Sequence, residues 1–265
     1  MDWNRAKNII IVLLFALNLF LLGNYLYTRN AQANDTQTQT ELSVYLESRG
    51  VKLSCPLPKK AETGRRLMIA ESTDKLAERA LPALLGQEMH FENGEAVSGT
   101  GSISWVAGEM EGQILALPGG GEADLDAMLS LLSEAGISTA SVERSETGAV
   151  LTGLFGDPAE PVYNMRLQLA QDEEGVWHIS GRWFLGTPTA AGEDREREAA
   201  GLLVTFADRL LTQETPLGEI GQIERGWVCT TLPGVGTQLT PALRITTDAG
   251  VFHISALDGQ ALELN

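Results

Sequence analysis

What this chain has little of narrows its chemistry before any motif is read. It carries only 2 cysteines and 3 histidines in 265 residues. No Cys or His pair stands at zinc-ligand spacing, so a structural metal centre is not expected. Basic residues are scarce as well, 19 against 35 acidic, which gives a formal charge of −16. A surface this acidic disfavours nucleic acid and anionic lipid surfaces as partners. Gly99-Thr100-Gly101-Ser102 lacks the third glycine of a dinucleotide loop and the lysine of a P-loop, and Ile103 and Trp105 continue it as a strand. Glu122, Asp124 and Asp126 follow Gly119-Gly120-Gly121 as at a helix start, not as the alternating oxygen ligands of a calcium loop. His90, His178 and His253 all fall in strand-like runs, where a solvated face is the ordinary place for them. The expectation is a chain with no cofactor, no metal and no catalytic set, and so not an enzyme.

Long apolar runs are missing too, with one exception. Ile9 to Tyr27 is interrupted only by Asn18, Gly23 and Asn24. Its length approaches the ~20 residues needed to cross a bilayer core as a helix. Arg5 and Lys7 precede it, which predicts a cytoplasmic N-terminus over residues 1–8 and everything beyond the span outside. Ile11, Leu14, Phe15, Asn18, Leu21, Leu22 and Tyr25 share one face at helical spacing. Asn18 sits mid-run, where an amide that bonds a partner helix contributes about 0.6–2 kcal/mol. That face is the expected partner-binding surface. A cleavable signal ending at Ala31-Gln32-Ala33 is the competing reading, although the run exceeds the usual ~7–15-residue signal core.

Residues 28–40 contain no large aliphatic side chain and read as a polar tether, about 20 Å long as flexible coil. Leu42, Tyr45, Leu46 and Val51 then predict a short amphipathic helix stopped at Gly50. Met128, Leu131, Leu132, Gly136 and Ile137 repeat that spacing further on, which hints at two repeated subdomains, 41–118 and 119–265, divided at Pro118-Gly119-Gly120-Gly121. Alternation over Tyr163–Leu169 and Trp177–Leu185, with a turn at Asp172–Gly175, predicts a long antiparallel hairpin. A helix is expected over 193–211, with Ala199, Leu202, Leu203, Phe206 and Leu210 as its apolar stripe and a core shared with the hairpin. Strands over 219–231, 240–247 and 251–257 close the chain. The fold class predicted is α+β: a transmembrane helix over 9–27, then antiparallel sheets with helices packed on one face. Cys55 and Cys229 leave a disulfide or two free thiols open, with Trp227-Val228-Cys229 favouring a buried thiol.

Both ends of the chain resemble one family. Met1-Asp2-Trp3-x-Arg5-x-Lys7, an aliphatic run and Leu17-Asn18-x-Phe20-Leu21 look like the start of YycI proteins. Pro241-Ala242-Leu243-Arg244-Ile245 and Val251-Phe252-His253-Ile254-Ser255-Ala256-Leu257-Asp258-Gly259 resemble the family's close, with Leu243 where Trp is usual and Ser255 where Asn is usual. The resemblance implies a single-pass membrane protein of Gram-positive bacteria with an extracellular domain. It also implies the partners, a WalK-like sensor histidine kinase and a YycH-like protein. The implied activity is modulation of that kinase, and thus of cell-wall metabolism, through transmembrane and extracellular contacts. An anchored extracellular cell-wall hydrolase, and an extracellular ligand-binding module with no kinase partner, are the alternatives.

Overall fold

Period-two alternation of apolar and polar residues builds the larger part of the regular structure into strands. The computed structural model describes residues 13, 14, 17, 20, 21, 37–59, 64–92, 94–121, 123–138, 140–213, 216–232 and 235–264. The order is α1 (37–48), β1 (Lys52–Leu53), β2 (Arg65–Ile69), α2 (Thr73–Leu85), β3 (His90–Glu92), β4 (Glu95–Ser98), β5 (Gly101–Val106) and β6 (Glu109–Ile114). Then come α3 (Leu125–Glu134), β7 (Ala140–Ser145), β8 (Gly148–Phe155), β9 (Glu160–Gln171), β10 (Trp177–Arg182), β11 (Thr189–Arg195), α4 (Ala199–Thr212), β12 (Glu219–Leu232), β13 (Gly236–Thr247) and β14 (Gly250–Ser255).

The strands form two wings. One is antiparallel in the order β3-β4-β5-β6-β10-β9-β8-β7. The other runs β11-β2-β13-β12, with β14 also on β13 and β1 parallel to β12. A parallel pairing of Trp227 with Val162 joins β12 to β9 and so joins the wings. Beyond it the Asn164 amide replaces the next rung. Its Nδ2 donates to the Cys229 carbonyl at 2.7 Å, and the Cys229 amide donates to its Oδ1 at 2.9 Å. An edge that would leave buried backbone groups unpaired is closed by one side chain.

Each wing packs its own helices. Leu81 and Leu84 of α2, with Met128 and Leu132 of α3, are buried against Ile103, Trp105, Trp177 and Trp183. Leu46 of α1, with Leu203 and Phe206 of α4, is buried against Ile220, Leu243 and Ile245. A smaller cluster at the seam joins Val162, Phe184, Trp227, Cys229 and Leu239. The glycine stops at α1 and α3 form as expected. Gly50 (φ +81°) and Gly136 (φ +90°) take the left-handed conformation. The next amide then bonds back, Val51 to the Leu46 carbonyl and Ile137 to that of Leu132, both at 2.9 Å.

The structure corrects the α+β expectation. Among the described residues sheet dominates, fourteen strands are joined in one hydrogen-bonded network, and two of the pairings are parallel. Strand β6 pairs with β10, so the ladder crosses the expected 118/119 division rather than forming two repeated units. The two matching helices lie on different wings. Among the described residues no helix is long and apolar enough to cross a membrane, so the span expected over 9–27 is not supported. Of residues 9–27, only 13, 14, 17, 20 and 21 are among the described residues.

Smaller corrections have local causes. Residues 37–40, expected as tether, are helical and belong to α1, where Gln37 Nε2 donates to Glu41 Oε1 one turn on at 2.8 Å. The helix expected from 193 begins at Ala199, because Thr189–Arg195 pairs with β2 instead. The hairpin forms as β9 and β10, with Trp177, Trp183 and Phe206 all buried. Phe206, however, belongs to the other wing's core and does not share one with the tryptophans. Cys55 and Cys229 are free thiols.

Candidate functional site

Cross-strand register decides which side chains meet at the seam. Residues directly opposite on paired strands share a face. On one wing this aligns Ser141 with Thr152 and Thr152 with Arg166. On the other it aligns Glu224 with Arg244 and Arg244 with His253. The two rows face each other across Tyr163 and Pro161 of β9 and line a groove of ≈ 440 Å³.

Two rings floor the groove. Tyr163 and His253 stack tilted at 59°, with centroids 4.9 Å apart. Gly226 allows this approach, since a Cβ there would stand 2.7 Å from the Tyr163 ring and 2.5 Å from the Pro161 carbonyl. The Tyr163 hydroxyl is buried and makes no hydrogen bond of normal geometry among the described residues. Burial pushes its phenol well above the usual range, and the Glu224 carboxylate pushes the same way. His253 is held below its ordinary value, first by burial and then by the Arg244 guanidinium, so it is neutral at neutral pH.

The rim carries both signs of charge. Arg244 Nη1 lies 3.4 Å from Glu224 Oε2, both half exposed. Arg166 is exposed and has no carboxylate partner among the described residues, and Glu143 stands on the far side. A surface with aromatic floor, mixed-charge rim and one unpaired guanidinium can hold an extended polar segment and fix its register through a carboxylate on Arg166.

The expected partner-binding residues lie elsewhere. Leu14 and Leu21 are helical and exposed, as are Leu13, Leu17 and Phe20. Ile11, Phe15, Asn18, Leu22 and Tyr25 lie outside the described residues, as do Arg5, Lys7 and Ala33. Sequence reasoning missed Tyr163, Arg166 and Glu224 as site residues. The available signal was the pair of C-terminal motifs, which form one hairpin. Ala242 pairs with Ser255, Leu243 with Ile254, Arg244 with His253 and Ile245 with Phe252. Leu243 and Ser255, the two departures from the family pattern, are both buried.

No family model matches the chain, and no curated protein matches it. Among solved structures it is similar to an uncharacterized protein from Eubacterium rectale, at 11% identity and a TM-score of 0.42, over 82% of this chain and 91% of that one. A second, distant neighbour is the YpeB C-terminal domain of Bacillus megaterium, at 11% identity and a TM-score of 0.32, over 76% of this chain and 97% of that one. Likeness at this level assigns no function.

Proposed function

We propose that this chain works by contact, as an accessory regulator of a WalK-like sensor histidine kinase that acts with a YycH-like protein in the control of cell-wall metabolism. In this reading the sheet domain lies outside the cytoplasm and the seam groove is its contact surface. One observation carries the proposal. Arg244, Val251 and His253, from the tail that resembles the YycI family, converge on one groove with Tyr163 and Arg166. A partner that binds one of two kinase arrangements more tightly shifts their balance by that difference in affinity.

The test is copurification of the full chain with the kinase, comparing wild type with an Arg166→Glu/Arg244→Glu variant. Both side chains are on the rim, so the fold should tolerate the change. Reversing two interfacial charges should weaken retention roughly tenfold and flatten its salt dependence. Equal retention for the two proteins would remove the groove from the interface.

A further inference from the structure

The other face of the seam holds a separate cavity of ≈ 250 Å³. Leu154, Val162, Met165, Phe184 and Leu239 wall it together with Cys229, and among the described residues no charged side chain lines it. Two exposed segments, at Gly156 and at Gly186-Thr187, contribute to its lining. Burial pushes the Cys229 thiol to about 12, so it presents a neutral surface.

Beside this cavity sits a donor with nothing to donate to. Trp227 is 5% exposed, its ring stands edge-on to Phe155 at 5.1 Å, and its Nε1 has no hydrogen-bond partner among the described residues. That nitrogen lies 3.9 Å from where a Cβ on Gly156 would stand, and Gly156 has φ +93°, which favours glycine. A buried indole N–H ordinarily finds an acceptor. A mostly apolar, partly open pocket and, beside its lining residue Gly156, a buried donor without an acceptor among the described residues are independent observations, and together they describe a small-molecule site.

We infer that the seam cavity binds an uncharged, mostly apolar small molecule carrying one carbonyl-type acceptor, which accepts the hydrogen bond from Trp227. The volume sets the size. Liquid water takes about 30 Å³ per molecule and a cavity of about 150 Å³ holds benzene, so ≈ 250 Å³ admits about eight to ten non-hydrogen atoms. A charged ligand is disfavoured, because no opposite charge lines the walls to offset its desolvation. The site needs no kinase partner and goes beyond the regulatory reading above. It also touches both wings, since Val162 and Met165 belong to β9 while Leu239 and Cys229 belong to β13 and β12.

The probes are acetophenone and ethylbenzene, flat molecules of about eight or nine non-hydrogen atoms that differ by the carbonyl oxygen. Each is titrated into the full chain under one buffer, with binding read by saturation-transfer NMR and by melting temperature. Wild type should bind both saturably and acetophenone more tightly. Trp227→Phe keeps a ring but removes the N–H; it should weaken acetophenone about fivefold, the worth of one neutral hydrogen bond, and leave ethylbenzene unchanged. Leu154→Phe, which fills the chamber, should abolish both. Three results would overturn the inference: no saturable binding of either probe, equal weakening of both by Trp227→Phe, or binding that survives Leu154→Phe. If Leu154→Phe does not fold, the Trp227→Phe comparison decides alone.

Discussion

Arg225 gives the sharpest test of how the seam is held. Its Nη1 lies 3.1 Å from Glu160 Oε1 and its Nη2 lies 2.9 Å from Glu196 Oε2. The three side chains are 14%, 16% and 3% exposed, so one cation serves two carboxylates that water scarcely reaches. Register places Arg225 opposite Leu243, on the face of β12 that packs the helices. Replacing it with methionine keeps much of the volume and strands both carboxylates. Removing one partner of a buried pair costs about 3–5 kcal/mol. The slight exposure of Glu160 moves the expectation to the lower half, about 3–4 kcal/mol. With a urea m-value of about 2–3 kcal/mol/M, the midpoint should fall by roughly 1–2 M, read by tryptophan fluorescence on the full chain. The triple variant Glu160→Gln/Arg225→Met/Glu196→Gln removes every charge and should recover at least half of the loss, because the penalty is the stranded charge and not the missing attraction. A loss under ~1 kcal/mol for Arg225→Met, or no recovery in the triple variant, would refute the argument.

Three further outcomes follow from the packing. Phe206, 3% exposed and edge-on to Phe252 at 5.3 Å, should cost about 3–5 kcal/mol when changed to alanine; a loss below ~1 kcal/mol in the same urea titration would mean that α4 does not pack as described. Asn164→Ala strands the amide and carbonyl of buried Cys229, which should cost about 2 kcal/mol and speed hydrogen exchange at Cys229 and Trp227 while sparing α2, and uniform exchange would contradict that. His253 has a folded pKa below its ordinary value of about 6.5, so the stability tied to its neutral form is full above that pH and is lost as pH falls through the lower folded value. Melting temperature should therefore drop on acidification from pH ~7.5 to ~5.5 more steeply for wild type than for His253→Phe, and parallel profiles would exclude His253 as the cause.

Local patterns were legible wherever one residue's environment depends on its chain neighbours. Alternation at Leu167 and Leu169 against Arg166 and Gln168 set the hairpin, because side chains of a strand alternate faces whatever the strand pairs with. Glycine at 50 and 136 set two helix ends, because few other residues enter the left-handed region cheaply. The stripe from Ala199 to Leu210 likewise set the buried face of α4. Charge balance and the scarcity of cysteine and histidine shaped the expected chemistry without any fold.

Strand order, by contrast, was decided only in three dimensions. Glu193-Asp194-Arg195 is compatible with a helix start and became strand because the edge of β2 offered backbone partners. Neither the Trp227–Val162 pairing nor the Asn164 amide that extends it leaves a mark in local periodicity, since the partners lie 65 residues apart and pair only once both wings exist. The groove and the cavity follow from that junction. Tyr163, Arg166 and His253 become neighbours because cross-strand register aligns them, and the Trp227 Nε1 is left without an acceptor among the described residues. The sequence by itself determined each strand's buried face; long-range pairing, which carries no local signal, determined which faces meet.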